Sequence, residues 1–172
     1  MDVRYRNTLD HLVALQKHVL RNTALGRKMV LHRFLMVEVI LLLICGLFAV
    51  NHDRLKVLLV FAGLSCLAWL FRERAVLMQF RKDFKRENRR DGTGAFHSER
   101  ILHVSPSGLR LRMGQIENRI GWDQVARIDR DSRYIYILLT GVLHHVIPVS
   151  AFADAQAPDR FLETARSYQA QA

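Results

Sequence analysis

The sequence predicts an α+β membrane protein: a two-helix transmembrane hairpin followed by a small antiparallel β barrel or split sheet that a C-terminal helix closes. Three observations carry this. Two apolar runs, residues 34–50 and 57–71, are separated only by Asn51-His52-Asp53-Arg54-Leu55-Lys56. Beyond Gly94 the hydrophobic period changes from helical to two. Near the end, Phe161, Leu162, Ala165 and Tyr168 return to one helical face.

Residues 1–33 form a cytoplasmic segment in which Leu9, Leu12, Leu15, His18 and Val19 follow a capping Thr8 at helical spacing, predicting an amphipathic helix. The hairpin occupies residues 34–71. Its runs of seventeen and fifteen residues correspond to about 25 and 22 Å of helix, slightly short of a bilayer core. The alkyl stems of Arg33, Arg54, Lys56 and Arg72 extend them towards the headgroups. Neither run has the polar face of a soluble core helix. Cys45 and Cys66 fall at depths about 9 Å apart along the helices, too far for a disulfide. With Gly46, Ala49, Ala62, Gly63, Ser65 and Ala68 they read as small residues that let two helices approach.

Twelve Lys and Arg residues flank the hairpin on its chain-terminal side, against two in the connecting loop. This asymmetry places both termini in the cytoplasm and accounts for much of the formal charge of +10 without nucleic acid. Residues 72–92 continue the second helix as a basic juxtamembrane segment with an apolar stripe at Leu77, Phe80 and Phe84, ended by Asp91-Gly92-Thr93-Gly94. There Arg81, Lys82, Lys85, Arg86, Arg89 and Arg90 are expected to contact anionic lipid headgroups. Glu38 is the one charged residue inside the first run. Its plain reading is pairing with Arg72 or Arg33 at headgroup level, or a neutral carboxyl; its sharper reading is an oligomer contact or an ion pathway.

In residues 93–172 the alternation predicts strands over 100–104, 109–113, 116–120, 125–130, 134–139 and 142–148, a tight turn at Met113-Gly114-Gln115, and a helix over 157–168. Residues 3–6 read as an edge strand. This C-terminal segment is expected to fold apart from the hairpin, with the Trp122 indole packed against the terminal helix near Phe161 or Leu162.

The segments "HLVALQKHVLRN" and "GLRLRMGQIENRIGWDQVARI", with the elements Trp122 to Val125 (W-x-x-V) and Ile147, Pro148, Ala151, Phe152 (I-P-x-x-A-F), resemble the YcxB-like family of bacterial membrane proteins. The resemblance implies a pleckstrin-homology-like C-terminal domain on the hairpin, in the bacterial inner membrane, with Trp122, Pro148 and Phe152 as structural positions. It implies no reaction.

Catalytic chemistry is poorly supported. His144 and His145 are adjacent on a strand and face opposite ways, one packed and one solvated; His11 and His18 are too far apart along a helix to share an ion. No phosphate loop, H-E-x-x-H or G-x-S-x-G is present. No cofactor or metal is expected. The basic face formed by Arg110, Arg112, Arg119, Arg127, Arg130 and Arg133 reads as ordinary solvated strand surface. The expected function is therefore a membrane-anchored cytoplasmic interaction module, not an enzyme, that binds a protein partner or a second copy of itself. A small channel or transport subunit using Glu38 is the alternative. Nucleic-acid binding by Arg81 to Arg90 ranks third, because no aromatic stacking platform accompanies the charge.

Overall fold

The computed structural model describes residues 1–50, 53–91, 98–141 and 144–171, and the side chains of residues 87–91 lie outside that description. The chain divides into two compact units, Gln16–Asp83 on the one hand and Met1–Leu15 with Phe84–Ala172 on the other.

The helices are α1 (Leu9–Asn22), α2 (Ala24–Ala49) and α3 (Arg54–Asp91). Thr8 caps α1 reciprocally with His11: the His11 N–H donates to Thr8 Oγ1 at 3.4 Å and His11 Nδ1 accepts from the Thr8 N–H at 3.3 Å, a capping box with histidine in the place of glutamate. At the α1–α2 corner the Thr23 hydroxyl donates to Val19 O at 2.8 Å and accepts from the Gly26 N–H at 2.9 Å. This cap starts α2 ten residues ahead of the apolar run at 34–50, because nothing from Leu25 to Leu31 interrupts helical backbone. A Cβ at Gly26 would lie 2.4 Å from Val19 O and 2.6 Å from Leu20 Cα, whereas one at Gly46 or Gly63 would meet nothing within 4 Å. Gly26→Ala is accordingly expected to cost about 1–3 kcal/mol through overpacking. Gly46→Ala is expected to be neutral or stabilising by up to about 1 kcal/mol through helix propensity. Thermal melts of the helical circular dichroism signal would compare the two.

Within the Gln16–Asp83 unit, α2 turns one narrow face inward. Val30, Phe34, Glu38, Leu41, Cys45 and Ala49 are its half-buried positions, matched on α3 by Val57, Phe61, Ser65, Ala68, Arg72 and Val76. Along this seam the spacing runs four, four, three, four, four on both helices, close to the eleven-residue period of a nearly straight helix and not to a heptad. Within residues 34–50 and 57–71 the remaining positions are apolar and exposed. Gly46, Gly63, Ala62 and Cys66 lie on these outer faces, so the expectation that they bring the helices together is corrected: among the small residues it is Cys45, Ala49, Ser65 and Ala68 that occupy the seam. Both cysteines are free.

Among its described residues the second unit holds seven strands in two antiparallel sheets, the split arrangement of the two that the sequence allows. One has the order β1 (Asp2–Arg6), β2 (Glu99–Ser105), β3 (Gly108–Met113), β4 (Ile116–Ile120); the other is β5 (Val125–Arg130), β6 (Tyr134–Leu139), β7 (His145–Pro148). Gly108 at φ +133° and Gly114 at φ +59° make the turns on either side of β3. β1 pairs along β2 from Asp2↔His103 to Arg6↔Glu99 and sends Val3 and Tyr5 into the core. The sheet thus takes its edge strand from outside residues 93–172, and the expectation that this segment folds by itself is corrected.

β4 departs from the expected alternation as well. Only Ile120 is buried, and Ile116 is 61% exposed, because β4 is an edge strand paired only with β3. Residues 142–143 of the last expected strand, and residues 92–94 of the expected helix stop, lie outside the described residues. α4 (Ala157–Gln169) buries Ala157, Pro158, Phe161, Leu162 and Ala165. Gln169 Nε2 donates to Val125 O at 2.6 Å and Arg166 Nη2 to Ile128 O at 3.2 Å, tying α4 to β5.

Candidate functional site

The helical unit carries the more distinctive chemistry. Ser65 Oγ donates to Glu38 Oε2 at 2.7 Å across the α2–α3 seam, and Glu38 Oε1 is buried without a hydrogen-bond partner among the described residues. Each residue stands eleven positions from the loop-side end of its helix, Ala49 or Arg54, so hairpin symmetry puts them level. The expected pairing of Glu38 with Arg72 or Arg33 is corrected: both arginines lie on other turns, and the nearest donor is the serine opposite. That match could have been read by counting outwards from the loop.

At the other end of the same unit, Arg21 of α1 forms a bidentate pair with Glu73 of α3, Nε to Oε1 at 2.6 Å and Nη2 to Oε2 at 2.9 Å. The Arg72 guanidinium stacks 4.4 Å above the Trp69 ring, a cation–π contact. Two cavities of about 380 and 560 Å³ open beside these residues. Further along α3, Arg81, Lys82, Lys85 and Arg86 are exposed; Arg89 and Arg90 continue the helical backbone, with side chains outside the described residues.

In the β unit, Trp122 is 4% exposed, its Nε1–H donates to Ser105 O at 3.0 Å, and its ring centre lies 6.1 Å from that of Tyr168 on α4. Pro148 is buried at the end of β7, and Phe152 packs edge-on against Phe161 at 5.5 Å. These three residues build the core and corners and do not converge on a cleft. The basic strand face is largely compensated: Glu117 pairs Arg110 at 3.3 Å and Arg119 at 3.1 Å, Asp129 pairs Arg127 at 2.7 Å, and Asp159 pairs Arg130.

Sequence reasoning missed a buried polar group in this unit. Arg100 is 8% exposed, and its Nε, the Tyr5 hydroxyl and both Asn7 amide atoms are buried without hydrogen-bond partners among the described residues. Parity was the available signal, since Arg100, Leu102 and Val104 share one face of β2. Burial pushes the Tyr5 phenol up to about 12 against the opposing pull of Arg100. Burial pushes the His145 imidazole down to about 4, and the Arg100 and His144 charges add to it. His144 and His145, of which one was expected packed and the other solvated, are both half-buried, and His144 Nδ1 accepts from the Leu139 N–H at 3.2 Å.

A pair of long apolar helices joined to an antiparallel α+β unit defines the class of protein. Residues 104–165, from the end of β2 into α4, match the YcxB-like protein family; the C-terminal segments of the resemblance seen in the sequence fall within this match, and "HLVALQKHVLRN" lies outside it. No curated protein matches the chain.

Proposed function

We propose that the helical unit is a transmembrane hairpin anchoring the β unit, a pleckstrin-homology-like interaction module, at the cytoplasmic face of a bacterial inner membrane, where it binds a protein partner or a second copy of the chain without catalysis. One observation carries the reading. The outer faces of α2 and α3 are bare and apolar, with Leu42 61%, Leu47 74%, Leu58 63% and Leu70 59% exposed. A monomer in water rarely exposes a contiguous apolar patch beyond roughly 300–600 Å², and both helices are long and apolar enough to cross a bilayer. The excess of Lys and Arg away from the loop supports cytoplasmic termini, and exposed Arg81, Lys82, Lys85 and Arg86 suit an anionic headgroup layer.

The Glu38–Ser65 pair favours a second reading, an oligomeric channel or transport subunit. Eleven residues of helix place it about 16 Å from the loop end, near the middle of a hydrocarbon layer roughly 30 Å thick, where carboxyl groups often mark pathways. A single hairpin seam closed by a serine–carboxyl hydrogen bond has no lumen, however, so the anchor reading stands first. Two measurements on the intact protein separate them. Crosslinking with affinity capture from membranes should return a defined partner or a homo-oligomer, and proteoliposomes should show no ion flux for either the parent or Glu38→Gln. Conductance that Glu38→Gln abolishes would transfer the function to the hairpin.

A further inference from the structure

The cavity of about 380 Å³ at the corner of α1, α2 and α3 combines features that the exposed basic stripe lacks, and we infer that it is a binding site for the phosphate headgroup of an anionic phospholipid. Arg27 and Arg72 reach it from α2 and α3, and neither has a carboxylate partner among the described residues. The third arginine, Arg21, is neutralised by Glu73. Arg72 is held by stacking on Trp69 and by a 3.4 Å hydrogen bond from Nη1 to Trp69 O, which leaves its remaining N–H groups for an oxyanion. Two planar guanidinium forks lining one cavity are suited to bidentate phosphate recognition.

The floor of the cavity is apolar, formed by Val30, Leu31, Phe34 and Trp69. The second cavity, about 560 Å³, shares Val30, Phe34 and Arg72; it extends past Val37 and Ala68 on the loop side of Arg72 and past Val76 to Gln79 and Asp83 on the other. On the loop side of the arginines the lining is apolar, which suits an occupant whose anionic end meets Arg27 and Arg72 and whose apolar part continues towards the loop. Depth selects a lipid. Arg72 stands eighteen residues from Arg54 and Arg27 twenty-two from Ala49, about 27 and 33 Å along the helices from the loop. These values bracket the roughly 30 Å hydrocarbon core, so the guanidiniums lie at the headgroup boundary opposite the loop while Phe34 and Trp69 lie among acyl chains. The site rests on the transmembrane reading of the hairpin.

The test uses the intact protein: its membranes are first washed with alkaline carbonate, and the protein that remains with them is then solubilised and followed by native mass spectrometry in micelles containing phosphatidylglycerol or phosphatidylcholine. The site predicts preferential retention of phosphatidylglycerol, a roughly tenfold loss of that preference in Arg27→Gln/Arg72→Gln, a partial loss in Arg27→Lys/Arg72→Lys, which keeps the charge but not the planar fork, and full retention in Arg81→Gln/Lys82→Gln. Should the double glutamine variant lose its helical signal, the lysine variant and Arg72→Gln alone decide. Millimolar inorganic phosphate should not displace the lipid; displacement would mark a site for free phosphate and overturn the proposal. A protein that stays with the membrane yet retains both lipids equally, or keeps its preference in the glutamine variants, overturns the site alone. Release by carbonate overturns the hairpin reading and the site with it.

Discussion

Replacing Trp122 by alanine is expected to unfold the β unit while the apolar helices stay helical. The indole is 4% exposed within the cluster that joins both sheets to α4, and its one polar atom is satisfied by Ser105 O. Truncating such a side chain removes about 3–5 kcal/mol through lost transfer and a residual cavity, and leaving the Ser105 carbonyl unpaired adds to this. A unit of this size has total stability of that order. The control is Arg112→Ala, at an exposed position on β3 with only a 3.3 Å bond to Gly114 O; it should stay within about 0.5 kcal/mol of the parent. Hydrogen exchange over residues 125–148 of the full chain reads the β unit separately from the helices, and must not rest on residues 93–172 alone, because Val3 and Tyr5 complete the same core. Unchanged protection in Trp122→Ala would mean that the indole bears on a binding surface and not on the core.

Acidification from pH 7.5 to 5 is expected to destabilise the β unit by about 2 kcal/mol through His145. Burial, with Arg100 and His144 beside it, lowers this imidazole to about 4, while the unfolded chain titrates near 6.5. The unfolded state therefore binds the extra proton between those values, so stability is complete above about pH 6.5 and drains away as pH falls towards 4. His144 and His11, both lowered chiefly by burial, act in the same direction. Denaturant titrations at the two pH values should show the loss, and His145→Gln should flatten most of it. An equal slope in the variant would assign the pH dependence elsewhere.

What could be read from the sequence was whatever rests on periodicity. The strands from β2 to β6 fall within one or two residues of the expected stretches, and α4 within one; in β2, β3 and α4 this is because each buries one face against a common core, whereas β4 buries only Ile120 and β6 is buried on both faces. The apolar runs marked α2 and α3 but not their ends: Thr23 and the close approach at Gly26 set the start of α2, and a cap cannot be seen in a hydropathy pattern. Non-local pairing was the harder part. β1 read as an edge strand, yet its partner β2 lies more than ninety residues away, so its share of the core was invisible. Glu38 stood out as a charge in an apolar run, while Ser65 looked like one small residue among several until the hairpin brought the two level. Arg100 was hidden by chemistry: an arginine on a strand reads as solvated unless the parity of its neighbours is followed.

The account turns on the hairpin crossing a membrane with both ends of the chain on the cytoplasmic side. Alkaline phosphatase, active only when exported, fused after Asp53 and separately after Ala172 in the intact protein, measures this directly. Activity at Asp53 and silence at Ala172 is the predicted result; activity at Ala172, or silence at both positions, would contradict it.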